Sequence, residues 1–280
     1  MNIRIEPLSD KIGAAIYGLD LRQTLSSDEK VAVTRAFADH LAVCIRGQEL
    51  TLDEFLAAAN QFGKSKPHLY RKLRHKDHPH LSVVSSEDRK LFGEKTKNPR
   101  ATHFHTDESY LAKPSKATML YSMINPKSGG ETKFVNMYRA YETLPESTKT
   151  MLEGLKAVHR FGTNRPGVAL LKLSDEEKAE TPDVVHPIVR THPDTGRKAL
   201  FVNAARTDSV VGMDADEGKA LLEDLYTHSI KPEFQYHHDW AVGDVMMWDN
   251  RCTMHAATNT YGPDEKRLLY RVLLEGDAPR

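Results

Sequence analysis

Thiols are scarce in this sequence: 280 residues hold two cysteines, Cys44 and Cys252, far apart and outside any CxxC spacing. A disulfide scaffold and a thiolate zinc centre are thereby excluded, and any metal must use histidine and carboxylate. Net charge is also missing, with Lys plus Arg and Asp plus Glu at 39 each, so no global field draws the chain to nucleic acid or to an anionic membrane. No uninterrupted apolar run approaches the roughly 20 residues that span a bilayer, and "MNIRIEPLSDKIG" carries charges where a secretory signal needs an apolar stretch. These absences predict a cytoplasmic protein with a small-molecule partner. Repeats, low-complexity runs and long Pro/Gly/Ser linkers are absent too, which predicts a single domain over 1–280.

What is present reads first as short helices and then as short strands. Residues 3–20 alternate as strands, and in "SSDEKVAVTRAFADHL" Ser27 is the expected cap, with Val33, Phe37 and Leu41 as the apolar stripe. "AVCI" follows as a strand. Thr51 and Glu54 fit a capping box, ahead of a helix whose core face is Leu52, Phe55, Leu56, Ala59 and Phe62. From about residue 80 the strand-like runs are "LSVVSS", "TMLYSMI", "ETKFVN", "HPIVRTH", "KALFVN", "EFQYHH", "VMMWD" and "RLLYRVLLE", the signature of a sandwich or barrel. "HPDTGRK" predicts a hairpin turn, and "DADEGKALLEDLYTHS" a helix with Leu221, Leu222 and Leu225 inward. The expected outline is mostly β with flanking helices. Residues 86–102 read as a long charged loop of the kind that is more often functional than inert.

That loop leads into "HFHTDESY", where His105 and Asp107 stand two apart. His-x-Asp alone is weak, because the chain has four, at His75, His105, His192 and His237, where chance predicts about one. His75 lies in a basic loop, His192 leads into a turn formed by Asp194, and His237 belongs to a strand ending before Trp240. His105 and Asp107 differ in their distant company. In an extended strand residues two apart face the same way, and "WDNRCTMHAATNTYGPDEKRLLYR" adds His255. Two histidines and one carboxylate, with three positions open, suit non-heme Fe(II) oxygen chemistry.

On these motifs the sequence resembles the taurine and 2,4-dichlorophenoxyacetate dioxygenase group of Fe(II)/2-oxoglutarate-dependent oxygenases. The resemblance runs from "GLDL" and "IRGQEL" to the last strand and covers nearly the whole chain. It rests on His105 with Asp107, "SGGET" ending at Thr132, "WDNR" at 248–251, His255, and Arg267 with Arg271, while "VRTHPDTGRKALFVN" is similar to the segment between ligands. It implies a double-stranded β-helix, or jelly roll. It also implies that His105, Asp107 and His255 hold Fe(II), that Arg267 and Thr132 bind the far carboxylate of the cosubstrate 2-oxoglutarate, and that O2 is consumed with release of succinate and CO2. For the substrate it implies a small organic anion (a carboxylate, sulfonate or sulfate ester) held by Arg271, with His68 and Tyr70 of "KPHLYRK" and pocket aromatics at Phe161 and Phe201. The position where this group carries asparagine is Ala101.

Read without the resemblance, several of these residues have plain structural roles. Thr132 is a strand residue, Gly129 and Gly130 form a turn, Trp248 is core, and Asp249 with Arg251 is an ion pair. In the last strand Leu268, Tyr270 and Val272 share one face, and a naive reading buries that face and leaves Arg267 and Arg271 in solvent. The basic stretch "KSKPHLYRKLRHK" adds a local positive field around the site or, more simply, a solvated surface. Competing functions are a non-catalytic jelly-roll binding protein, which has no need of Arg267 and Thr132, and a zinc hydrolase, for which no HExxH exists. A halogenase is disfavoured because Asp107 fills the position that chloride requires. Oligomeric state is not legible, and a homo-oligomer is compatible with this reading.

Overall fold

The computed structural model describes residues 3–87, 102–163, 173–258, 260–262 and 264–280. Most of the charged loop expected over 86–102, Ala101 included, lies outside the described residues. The first half runs β1 (Arg4–Pro7), β2 (Ala14–Tyr17), α1 (Ser27–His40), β3 (Ala42–Ile45), α2 (Leu52–Asn60), β4 (Ser65–Lys66), β5 (Leu81–Ser85) and β6 (Ala117–Ile124). Next come β7 (Thr132–Asn136), α3 (Met137–Glu142), α4 (Glu146–Leu152), β8 (Lys156–His159), α5 (Asp175–Ala179), β9 (Val184–Pro187), β10 (Val189–Thr191) and β11 (Lys198–Leu200). The chain closes with β12 (Thr207–Val210), α6 (Ala215–Ser229), β13 (Gln235–His238), β14 (Val245–Asp249), β15 (Thr253–Ala257) and β16 (Leu268–Leu274).

One large sheet has the order β1-β2-β3-β14-β6-β16-β4, with β5 also paired to β16. Its period-2 alternation is buried on both faces. Val43, Ile45, Met119, Tyr121, Val245, Met247, Val272 and Leu274 pack with Val33 and Ala36 of α1 and with Phe55, Ala58 and Ala59 of α2. The opposite set, Cys44, Leu120, Met246, Trp248 and Leu269, packs with Phe134 of β7 and with Met254 and Ala256 of β15. β7 is the middle strand of a second sheet, β13-β7-β15. The fold is thus mostly sheet with few helices, and among the described residues neither sheet closes into a barrel.

Local chemistry explains the edges of these elements. The Thr51–Glu54 capping box forms as expected, whereas α1 is capped by Ser26, whose hydroxyl accepts from Glu29 N–H while the Glu29 carboxylate returns to Ser26. Ser27 is already the first helical residue, so the expected cap is off by one position. Leu41 leaves the helix at φ 65°, in the left-handed region. The hairpin pairs Val189 with Leu200, and in α6 Leu222 and Leu225 are buried with Leu221 half-buried beside them. Four strands were missed in sequence, the short β4, β8 and β12 and also β15, which carries His255, because "TMHAA" is short and lacks both β-branched density and clean alternation. No helix among the described residues is long and apolar enough to cross a membrane.

Candidate active site

His255 lies on the edge strand β15, and His105 joins it there by a single bridge. The N–H of His105 donates to the carbonyl of His255 at 3.0 Å and that of His255 returns the bond at 2.8 Å, which sets the ring centroids 4.3 Å apart. The extended run expected through Asp107 does not continue. Residues 107–110 are a turn with Glu108 at φ 54°, where its buried carboxylate is held by Lys66 at 2.8 Å and the Ser115 hydroxyl at 2.5 Å. This turn, rather than strand alternation, brings Asp107 beneath the two rings. Its Oδ1 lies 3.8 Å from His105 Nε2 and its Oδ2 3.6 Å from His255 Nε2, and the ligand atoms of the three residues all fall within 4.8 Å of one another.

The surroundings keep those atoms available. His105 Nδ1 is 2.9 Å from the carbonyl of His103, which only a protonated nitrogen can satisfy, so the Nε2 lone pair is left for an ion. Burial pushes the His255 imidazole down to about 3 and lowers that of His105, so both rings are neutral, the coordinating form. Burial alone would raise the Asp107 carboxyl, but the charge of Arg271 and the hydrogen bond donated by Thr118 help to hold it below the usual carboxylate range. A directed relay orients it. Trp248 Nε1 donates to Asn250 Oδ1 at 3.2 Å, Asn250 Nδ2 donates to Thr118 Oγ1 at 2.9 Å, and Thr118 Oγ1 donates to Asp107 Oδ2 at 2.7 Å. The indole can only donate, which fixes the asparagine amide and in turn aims the threonine proton at the carboxylate. The "WDNR" motif therefore acts on Asp107 through Thr118, a residue that sequence reasoning missed although it is a polar side chain in the apolar run "TMLYSMI".

Arg267 and Arg271 face inward, contrary to the naive reading of β16. Leu269 between them is fully buried against Trp248 and Phe134, and α2 covers the other face, so β16 presents neither face to water. Arg267 donates from Nε to the carbonyl of Gly130 at 3.0 Å and has no carboxylate within ion-pair distance among the described residues. Its burial draws the guanidinium down to about 10, against the opposing influence of Tyr261 and Glu131. Gly130 is more than a turn former: a Cβ there would come within 3.3 Å of Arg267 Cδ and 2.9 Å of Pro126 Cγ, at a φ of +78°. Thr132 shares the face of His255, since β15 pairs His255 with Phe134 and Ala257 with Thr132. Its hydroxyl accepts from Trp240 Nε1 at 3.0 Å and keeps its own proton to donate.

Arg271 Nη1 is 3.8 Å from Asp107 Oδ1, and its buried Nε has no partner. Asp249, the carboxylate that might have neutralised it, is engaged by Arg251 and His192. His68 lies within the field of Arg271 and Asp107; burial first, then Arg271, pushes it down to about 3. Tyr70 is buried two residues on, its N–H bonded to His68 Nδ1 at 3.1 Å. Of the two expected aromatics, Phe161 meets Tyr110 edge-on at 5.0 Å beside Arg206, whereas the ring contacts of Phe201 are with His159, His186 and Arg190 and none with the metal-ligand candidates. The basic stretch 64–76 is not a free field either. Lys64, Lys66 and Arg71 pair with Glu275, Glu108 and Glu180.

The family described as taurine catabolism dioxygenase TauD, TfdA family, matches residues 4–273. The chain belongs to this family. TauD/TfdA relatives agree over full length: the chain is 32% identical over 287 residues to an alpha-ketoglutarate-dependent 2,4-dichlorophenoxyacetate dioxygenase of Cupriavidus pinatubonensis, covering 99% of each. A taurine dioxygenase structure from Burkholderia xenovorans superposes with a TM-score of 0.83 at 33% identity, covering 100% of this chain and 91% of that one. AAD-2, solved with Mn(II) and N-oxalylglycine, superposes at 0.82 and 31% identity over 100% and 99% of the two chains. This TauD/TfdA protein is therefore a dioxygenase dependent on alpha-ketoglutarate, that is, 2-oxoglutarate.

Proposed function

We propose that the protein oxidises a small organic anion, a carboxylate, sulfonate or sulfate ester, using Fe(II) held by His105, Asp107 and His255. The observation that carries this reading is the coincidence of three neutral or anionic donors, unspent on protein hydrogen bonds except for Thr118, with a buried guanidinium that lacks a counter-ion. Two imidazole nitrogens and one carboxylate oxygen suit a divalent ion with open positions. When bound, Fe(II) and 2-oxoglutarate supply O2 activation, with succinate and CO2 released and a substrate C–H bond oxidised.

The residues of the chain bind and orient. Arg267 neutralises the far carboxylate of 2-oxoglutarate through its planar fork, and Thr132 donates its hydroxyl proton to the same group. Gly130 positions Arg267 from behind. The Trp248–Asn250–Thr118 relay keeps one Asp107 oxygen occupied and leaves the other toward the metal. Arg271, with His68 beside it, receives the anionic group of the substrate. We read the two facing sheets that enclose this site as the double-stranded β-helix implied by the family, and the chain as one cytoplasmic domain.

The test is substrate-dependent succinate formation across carboxylates, sulfonates and sulfate esters, with Arg271→Gln beside wild type. Arg271→Gln is expected to uncouple succinate formation from substrate while leaving 2-oxoglutarate affinity and thermal stability nearly unchanged. Unchanged substrate-driven turnover, or a loss of stability without a substrate defect, assigns Arg271 a structural role.

A further inference from the structure

A second guanidinium packs against the turn that carries Asp107. Arg206 lies in the turn between β11 and β12, and that turn is anchored on both sides: Asn203 Nδ2 donates to Ser109 Oγ at 3.1 Å, and Thr163 Oγ1 donates to the carbonyl of Ala204 at 2.9 Å. The Arg206 carbonyl receives Arg160 N–H at 2.9 Å, so the backbone that presents the side chain is fixed. The guanidinium carbon lies 4.9 Å from the ring centre of Tyr110 and 4.6 Å from that of Phe161. Tyr110 closes the turn that carries Asp107, so the guanidinium stands against the same turn as the candidate metal-ligand carboxylate. Among the described residues no carboxylate lies within ion-pair distance, and Nε and Nη1 are buried with no hydrogen-bond partner. Two aromatic faces compensate a guanidinium only in part. A structural arginine is ordinarily held by acceptors, and one that lacks them beside a candidate metal site is free to take an anionic ligand as its partner.

Charge accounting then specifies the ligand, given the proposed function. Asp107 and the near carboxylate of 2-oxoglutarate balance Fe(II), and the far carboxylate balances Arg267. Glu108 is matched by Lys66. Arg206 and Arg271 remain, neither with a carboxylate of its own among the described residues once Asp107 is assigned to the metal. We propose that Arg206 is a second anion-binding residue and that the preferred substrate carries two negative charges, one against Arg271 and one against Arg206 between Tyr110 and Phe161. A monoanion would leave one guanidinium bare beside the metal. Arg206 follows the apolar segment "ALFVNAA" as its only charged residue before Asp208, a signal that gains meaning only once the turn is placed.

Calorimetric titration with matched probes tests this, using protein loaded with Mn(II) and 2-oxoglutarate, oxygen excluded and ionic strength held constant. Propane-1-sulfonate carries one charge and 3-sulfopropanoate two. Wild type is expected to bind the dianion at least about tenfold more tightly, and Arg206→Gln is expected to erase that preference while keeping its affinity for the monoanion and for 2-oxoglutarate. Where the chain length of these probes does not suit the cavity, arylcarboxylates with and without a second acid group make the same comparison. A wild type that never prefers the dianion in any pair overturns the proposal, as does an Arg206→Gln protein that keeps the preference. The melting temperature of metal-free Arg206→Gln is the control: it is expected to match or exceed wild type, and a fall with both probes weakened equally makes Arg206 a packing residue. Failure of 2-oxoglutarate to bind wild type overturns the proposed function instead, and is read in a separate titration.

Discussion

Three clusters among the described residues bring potential metal donors together at the same spacing, and two of them, unlike Cys44, His238 and Asp244, lie on the motifs that carry the candidate site. His105, Asp107 and His255 form one, and His192, Asp249 and Cys252 form the other, each with its ligand atoms within 4.8 Å of one another. They differ in what the protein has already done with those atoms. In the second cluster Asp249 Oδ1 accepts Arg251 N–H at 2.8 Å and Nε at 2.9 Å, and Oδ2 accepts Nη2 at 2.7 Å and His192 Nε2 at 3.0 Å. His192 Nδ1 accepts the N–H groups of Asp194 and Thr195, and Cys252 is a buried thiol whose pKa burial raises well above the ordinary value. Both Asp249 oxygens and both His192 nitrogens are spent. In the first cluster Asp107 Oδ1 and both Nε2 atoms make no hydrogen bond among the described residues. A candidate metal site is thus defined less by donor identity than by donors the fold has left unsatisfied.

Truncating the carboxylates breaks the comparison most sharply. Asp107→Ala, like His105→Ala or His255→Ala, is expected to abolish Fe(II) retention and succinate formation with melting temperature little changed, since the donor removed satisfies few protein groups. Asp249→Ala should do the reverse at the level of folding: it strands Arg251 and His192 without their anion and is expected to cost about 3–5 kcal/mol, read by denaturant titration. Comparable destabilisation by both variants would erase the distinction drawn here.

A smaller effect is expected at Arg267, whose guanidinium has the carbonyl of Gly130 as its one hydrogen-bond partner among the described residues. Arg267→Ala should weaken 2-oxoglutarate by about 1.5–3 kcal/mol, with Fe(II) affinity retained. Superimposable 2-oxoglutarate titrations of variant and wild type would place the cosubstrate carboxylate elsewhere.

An effect seen only as a pH dependence belongs to another buried histidine, outside both clusters. His159 is fully buried beside Phe201, and neither ring nitrogen has a hydrogen-bond partner among the described residues. Burial pushes it down from 6.5 to about 3, so the folded ring stays neutral while the unfolded ring takes up a proton below 6.5. Falling pH therefore favours the unfolded chain by about 1.4 kcal/mol per pH unit between these limits. His159→Phe should flatten that acid limb in unfolding measurements from pH 7 to 4. An unchanged slope would show that His159 finds a proton acceptor when folded.

How much was legible follows the range of the physics involved. The Thr51–Glu54 box, the 189–200 hairpin and most strands were readable because caps, turns and alternation act over a few residues. β15 was not, since its five residues carry too weak a pattern and its strand character comes from β7 beside it. The face of β16 was undecidable from period alone: alternation shows that two faces exist, not which is wet, and here both are buried. Phe161 and Phe201 looked equivalent as strand aromatics until the fold sent one to Arg206 and the other to His159.

The sequence by itself determined the donor types, by withholding thiols. It also determined the spacing of the two arginines, the glycine pair before Thr132 and the periods that build two sheets. Only the tertiary structure decided which of several histidine–aspartate sets stays free, that the arginines point inward, and that Arg206 joins them. Those outcomes depend on distances between residues far apart in the chain and on whether a neighbour has already claimed each lone pair. Such competition for hydrogen bonds is resolved only when the chain is packed.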